Sequence, residues 1–435
     1  MRDVFLAAVI LAGLIATLRY PFAGIILWTW FTCMNPHQDA WGFMTSAPIN
    51  LIIAIVTVAA WVFSRERKQP VFDATFILLV GFLVWVTFNG FFAVDPDWSW
   101  GHWDQLWRTI ILGVFISAIA KNKVRVHALV WTVVISLFYY SVKGGIFTIL
   151  TGGHNQVLGP PNSQIGDNNT LALAVLMVLP LANYLRLNSA HRLVRNGAAI
   201  AIALTVLSVL GSYSRGGFVG LAALGFAAWF RARKKLVYPL AAAIIIIPAI
   251  AFMPVEYIGR INTIADASND DSFQGRVTAW HVAWDYAVDH FPLGDGLDGA
   301  QLPVVFNHYY PHYGTHAAHS IFFEVLGDNG FPGLAIYLAI LATAFFNCAQ
   351  IRKASKDSAQ FQWAFDLAGM MQLSLFVFCV AGAALSMAYY DVLFVWLGLL
   401  SAVRQMTRNL SPAKAFRADI VQHEPTVALG AEATT

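Results

Sequence analysis

Two arginines and a pair of histidines stand out in this apolar chain. Arg215 lies in GSYSRGGFVG between two long apolar runs, and Arg276 follows Gly275 at the head of GRVTAWHVAWDYAVDHF. His316 and His319 lie in THAAHSIFFEVLGDNGFPG, just before another apolar run. A guanidinium presents a planar fork of N–H donors that suits phosphate oxygens. Imidazole changes charge near neutral pH, so it can take a proton from a hydroxyl or orient one. An ionisable group at membrane depth is costly and marks a pathway or a site.

Each of these residues also has a plainer reading. Arg215 can snorkel to the interface, Arg276 can pair with one of the many local acids, and an interfacial histidine can be a satisfied polar group. Against the first, Gly216-Gly217 allows close approach of a ligand to the backbone, and the following helix offers its N-terminal amides to an anion. His316 and His319 are three apart and share a helix face with Phe323, with Glu324 five residues beyond His319. The HxxH pattern lacks the HExxH form and its third ligand, so no metal is expected. In GPPNSQIGDNNTLAL, Asp167, Asn168 and Asn169 precede an apolar run and suit a helix cap, or line the site. DASNDD at 266–271 lacks the glycine and terminal glutamate of a calcium loop. Lys143 and Arg108, at helix ends, are weaker candidates for phosphate contacts.

The elements that must position these residues are membrane helices. Of the 435 residues 58% are hydrophobic and only 12% charged, and the mean hydropathy is +0.61, far above soluble domains. Apolar stretches long enough to span recur throughout, which predicts an all-α polytopic membrane protein with about twelve transmembrane helices. The first two runs are short, flank Arg19-Tyr20-Pro21, and are expected to form one hairpin that does not fully span. No cleavage site follows the first run, so the N-terminus is expected to be retained. Cys33, Cys348 and Cys379 fall in apolar segments and read as packing residues.

Lys and Arg gather in alternate loops, at 65–68, 121–125, 186–195, 231–235 and 352–356 and in the tail from Arg404, and these face inward by the positive-inside rule. The loops at 35–48, 94–106, 151–168, 212–215 and 254–331 then lie outside. The large outer loop, 254–331, holds ten acids against two arginines, Arg260 and Arg276. Within it GRVTAWHVAWDYAVDHF predicts an amphipathic helix along the membrane surface, with Val277, Trp280, Trp284 and Val288 on one face. The organisation expected is N-terminal membrane helices over 1–165, a catalytic membrane region over 166–410 that includes the outer loop, and a disordered cytoplasmic tail over 411–435.

Taken together, SYSRGG, then GRVTAWHVAWDYAVDHFPLGDGL in a large outer loop, then HAAHSIFFEVLGDNGFPGL leading into a helix resemble the C-terminal region of bacterial O-antigen ligases and O-antigen polymerases, over roughly residues 165 to 400. The N-terminal MRDVFLAAVILAGLIATLRYPFAGIILWTWFTCMNPHQDAWGF is similar to an O-glycosylation ligase subgroup associated with exosortase systems. The resemblance implies a GT-C-like glycosyltransferase in the bacterial inner membrane, working on the periplasmic side without metal or other cofactor. Its donor would be an undecaprenyl-diphosphate-linked glycan, and its acceptor a sugar hydroxyl of lipid A-core in ligases or another lipid-linked repeat in polymerases. Carried over, the family arginines are Arg215 and Arg276 and its histidine is His319. His316, Glu324, Asp328, Asn168, Asn169 and Lys143 are expected around them. Membrane lipids are the remaining partners, and no nucleic acid is expected.

Two other readings stay open. A protein O-glycosylation ligase would use the same base on a Ser or Thr hydroxyl. A lipid-linked glycan transporter would also need cations for diphosphate, but with paired halves and charges along a path through the bilayer; the candidate residues here cluster on one side, and no internal repeat is visible.

Overall fold

The computed structural model of the protein describes residues 2–66, 68, 71–232, 235–236, 240, 243 and 271–408. Among these residues the chain is helical, with no strand. The expected helix near 236–253 falls almost wholly outside the described residues. So do the start of the outer loop (254–270) and the tail from 409, including the expected disordered segment 411–435.

The chain opens with α1 (Arg2–Arg19) and α2 (Pro21–Met34), a hairpin broken where Pro21 starts the second helix, followed by α3 (Ile49–Phe63), α4 (Ala74–Gly90), α5 (Pro96–Ile119) and α6 (Lys123–Leu150). Next come α7 (Asn168–Asn188), α8 (Arg192–Gly211) and α9 (Arg215–Arg231). The stretch that follows carries α10 (Asp271–Asp289) and α11 (Pro303–Tyr309), and the chain continues through α12 (Ile321–Ser355), α13 (Gln362–Gly382) and α14 (Asp391–Thr407). Among the described residues five segments are long and apolar enough to cross a membrane: α6, α7, α8, α12 and the one ending in α13. That makes a multi-pass membrane protein, with fewer clear spans than the twelve expected. Part of the difference arises where apolar runs make short helices, and the expected span near 236–253 lies almost wholly outside the described residues. The 14 residues of α2 extend about 21 Å, short of a hydrocarbon core of about 30 Å.

One apolar core, from Leu6 to Val403, crosses the boundary expected at residue 165. Helix α14 is its most enclosed element, with every residue from Val392 to Val403 buried, and it packs on α5, while α13 packs on α7, α9 and α12. Lipid tails are as apolar as leucine, so such contacts rely on close approach rather than on expelling water. A methyl group on Gly398 would lie 2.2 Å from the Gly113 carbonyl oxygen, and one on Gly113 would lie 2.7 Å from that of Phe394. These two glycines let α5 and α14 cross backbone to backbone.

At one end of the bundle Arg125 pairs with Glu66 at 2.7 Å, and this holds the Glu66 carboxyl below its ordinary pKa. At the other end the loops fasten to each other. The Val157 N–H donates to the Gly211 carbonyl, the Val94 N–H to the Asp295 carbonyl, and the Tyr140 hydroxyl to the Met34 carbonyl. The amphipathic helix is present as α10, and the face it packs inward is a different one from that of Val277, Trp280, Trp284 and Val288. Ala279, Val282, Ala283, Tyr286 and Ala287 are buried, whereas Trp284 and Val288 are about half exposed. Small residues win the inner face because α10 lies close against α12. Trp280 stacks on Phe323 and Trp284 meets Phe331 edge-on, so the large rings rim the contact.

Helix α12 breaks once, at Gly330, whose φ of 65° and ψ of −174° leave the helical region. Here the 292–296 segment passes against the helix. A methyl group on Gly330 would sit 2.4 Å from the Pro292 carbonyl oxygen and 2.7 Å from that of Leu293. Only glycine combines this φ with this approach. Gly330→Ala is therefore expected to cost about 2 kcal/mol or more, seen as a lower unfolding temperature of the purified protein in detergent.

Candidate functional site

The three sequence motifs meet at a short segment between α13 and α14 that the sequence had not marked. Three successive residues, Ala384, Leu385 and Ser386, each touch one of them. The Arg276 guanidinium donates to the Ala384 carbonyl at 3.3 Å, Leu385 lies against Gly216 of the SRGG turn, and the His319 N–H donates to the Ser386 hydroxyl at 2.9 Å. His319 has φ of 43°, a left-handed conformation uncommon outside glycine.

Each residue is positioned by local chemistry. Arg215 is the first residue of α9, whose cap is Ser214; the Ser214 hydroxyl accepts from the Gly217 N–H. That hydroxyl also donates to the Asn169 amide oxygen at 2.8 Å, and the Asn168 amide donates to the Ser212 carbonyl at 2.9 Å. Asp167 caps α7 by accepting from the Asn169 and Thr170 N–H groups. Asn168 and Asn169 therefore brace the SRGG turn against the start of α7. The glycine pair does not open the backbone to a ligand as expected: methyl groups there would meet Leu385 at 3.2 Å and Ala172 at 2.7 Å. Gly216 and Gly217 serve helix packing.

Arg276 lies in the first turns of α10, and the exposed His316 ring covers its neighbour, so close that a methyl on Gly275 would lie 2.8 Å from it. Burial, with the nearby Arg276 cation and His316, lowers the His319 pKa to about 4; Asp167 pulls the other way. His319 is thus a neutral imidazole at physiological pH. Lys143 is exposed on α6 with its ammonium 4.7 Å from the centre of the Tyr139 ring, and it is not one of the residues brought to this segment. Arg108 pairs with Asp104 one turn away.

Glu324 and Asp328 project from the first turns of α12 to the other side of the same segment. Glu324 Oε2 accepts from the Ala388 N–H at 3.1 Å. Asp328 accepts from the Tyr389 hydroxyl at 2.7 Å and from the Asp298 N–H at 3.0 Å. Fully buried Asn89 spans the same region from α4: its amide donates to the Asp328 carbonyl at 2.6 Å, and its oxygen accepts from the Gly294 N–H at 2.9 Å. The Tyr337 hydroxyl donates to the Ala388 carbonyl at 3.0 Å. Ser386, Tyr389 and Asn89 carried no signal in the sequence beyond their polarity inside apolar stretches.

A cavity of about 680 Å³ lies here, lined by Ser386, Tyr389 and Tyr390, by Glu324 and Asp328, and by the α2–α3 connection, α5, the 162–164 loop and the 297–301 segment. The cationic motif residues and the cavity thus flank one shared wall, the 384–391 segment.

Fold and site define a multi-pass membrane protein with arginines and a neutral imidazole gathered at one end of the bundle. Residues 200–338, which contain all three motifs, match the family model described as O-Antigen ligase. The chain carries an O-antigen ligase domain, as the motifs had suggested, and this supports a ligase-type role in glycosyl transfer. Residues 1–190 match a family of unknown function (DUF5935), and no curated protein matches the chain.

The lowered His319 pKa sets a sign. Unfolded histidine binds a proton near pH 6.5, whereas the folded one does so only near 4. The unfolded chain thus holds more protons between these values, and stability is full above pH 6.5 and falls as pH drops toward 4. Thermal unfolding across this range should show a loss that shrinks in His319→Gln. In ¹⁵N-histidine NMR of the folded protein, Arg276→Gln should move the His319 titration upward.

Proposed function

We propose that the protein transfers a glycan from an undecaprenyl-diphosphate carrier to a sugar hydroxyl of a lipid A-core acceptor, at the periplasmic face of the bacterial inner membrane. The observation that carries this reading is the convergence of Arg215's turn, Arg276 and His319 on three consecutive residues, 384–386. The end of the bundle holding them is the one poor in Lys and Arg, which the positive-inside rule assigns to the outer side.

The chemistry follows from the groups present. The acceptor hydroxyl oxygen forms a bond to the anomeric carbon while the bond from that carbon to the diphosphate oxygen breaks. The bonding electron pair leaves with the diphosphate. Arg215 and Arg276 stabilise the charge that develops there, where fixed cations count for more than in water. The hydroxyl proton passes to the His319 imidazole. In the absence of donor, the Arg276 cation holds down the basicity of His319. A bound diphosphate offsets that cation, so the imidazole becomes a better base once the donor has arrived. A single in-line displacement inverts the anomeric centre. Polymerase chemistry on a second lipid-linked glycan, or transfer to a protein hydroxyl, would use the same three groups. A transporter has less support, because the cations gather at one end rather than along a path.

The test is transfer by the purified protein in detergent, with undecaprenyl-diphosphate glycan and either lipid A-core or no second acceptor. Arg215→Ala, Arg276→Ala and His319→Ala should each lower the rate by at least about a hundredfold while the protein still inserts and purifies. Chain growth without lipid A-core would assign a polymerase instead, and unchanged activity in any one variant would remove that residue from the site.

A further inference from the structure

We infer that the cavity behind the 384–391 segment receives the acceptor, and that its walls select an uncharged, hydroxyl-rich saccharide end over a phosphorylated one. This rests on the glycosyl-transfer reading above. The placement follows from shared walls. Ser386 accepts from the His319 backbone on one side and lines the cavity on the other. Glu324 lines it too, and is anchored to the same segment through the Ala388 N–H. A hydroxyl in the cavity thus reaches the neighbourhood of His319 past Ser386.

The selectivity follows from the groups that line the cavity. Four carboxyl groups line the cavity from separate parts of the chain: Asp298, Glu324, Asp328 and Asp391. Its guanidinium, Arg108, is tied to Asp104. Its two imidazoles are no better placed for an anion. His102 stands 3.7 Å from Asp298, and burial lowers the His37 pKa. A phosphate here would lose its water without a cation in return. Sugar hydroxyls fit, because each both donates and accepts, and carboxyls and side-chain amides such as those of Asn35, Asn50 and Gln301 pair with them in either sense. The N-terminal wall, from Phe31 to Gln164, belongs to the stretch that matches the family of unknown function, so this region would set acceptor choice.

The experiment measures binding without donor, by calorimetry on the full-length protein in nanodiscs. The probes are a neutral hexose trisaccharide, the same trisaccharide carrying one phosphate, and a Ser/Thr-containing peptide. The neutral sugar should bind at least about tenfold more tightly than either of the others. Gly101 lines the cavity, and a side chain built on it meets nothing within 4 Å. Gly101→Trp should therefore weaken sugar binding about tenfold or more and raise the acceptor KM while the donor KM stays unchanged. Asp104→Asn, which unties the Arg108 guanidinium, should narrow the discrimination against phosphate severalfold. His319→Ala should keep sugar binding while losing transfer, which separates this cavity from the catalytic reading. No sugar binding, equal or tighter binding of the phosphorylated sugar or of the peptide, or an unchanged affinity in Gly101→Trp would overturn the inference. Selective sugar binding by a wild-type protein that transfers nothing would instead overturn the glycosyl-transfer reading.

Discussion

The end of the bundle where the three motifs meet depends on satisfying polar groups where little water reaches, and the 384–391 segment does most of it. A buried donor or acceptor left unpaired costs about 1–3 kcal/mol, and this segment answers several at once. Its carbonyls accept from Arg276 and Tyr337, its N–H groups donate to Glu324 and Gln164, and its Ser386 and Tyr389 hydroxyls serve His319, Asp328 and Asn329. Asn89 closes the arrangement from α4 by joining the Gly294 and Asp328 backbones. Removing the segment would strand polar groups from α10 and α12 together, so the geometry of the site and the integrity of the fold share the same bonds.

That coupling explains what could be read from the sequence. Arg215, Arg276 and His319 were visible because charge and imidazole are rare and costly in so apolar a chain, and the order of their motifs carried the family. The supporting residues were not visible. Asn89 sits inside FLVWVTFNGFF and Tyr389 inside ALSMAYYDVLF, where one polar atom among apolar neighbours looks like tolerated noise. Their partners lie up to 239 residues away, and no local period encodes such a pairing. The glycine pair of SRGG misled for a related reason: the sequence shows that a side chain is absent but not what fills the space, which here is Leu385 and Ala172. In α10 the large apolar residues drew attention to one face, while alanines form the packed one because close helix approach favours small side chains.

The same segment divides the electrostatics of the site. The Arg276 guanidinium and a histidine kept neutral meet it at residues 384–386, and the carboxyls of Asp298, Glu324, Asp328 and Asp391 line the cavity beside it. Burial raises the Asp298 pKa above its ordinary value, and nearby Asp295, wholly enclosed, is raised further. The segment between them is held largely by its own backbone, so neither side can relax toward the other without breaking hydrogen bonds. A group-transfer site gains from such a partition. The leaving group needs fixed positive charge, whereas the attacking hydroxyl needs acceptors for its proton and must not be drawn into the leaving group's place.

The break at Gly330 makes this partition possible in a continuous helix. Before it, the first turns of α12 carry Glu324 and Asp328 toward the 384–391 segment; after it, the helix runs apolar into the bundle against α4 and α13. The 292–296 segment crosses at the break and delivers its N–H groups to carbonyls and side chains there, among them the Asp295 N–H to the Gly327 carbonyl at 2.9 Å and the Gly296 N–H to that of Asp328 at 3.1 Å. An unbroken helix would have no room for that crossing, since the carbonyls of Pro292 and Leu293 occupy the space of a Cβ at residue 330. A single residue without a side chain thus lets the 292–296 segment dock onto the bundle, beside the contacts that hold Arg276 and His319 against the same three residues.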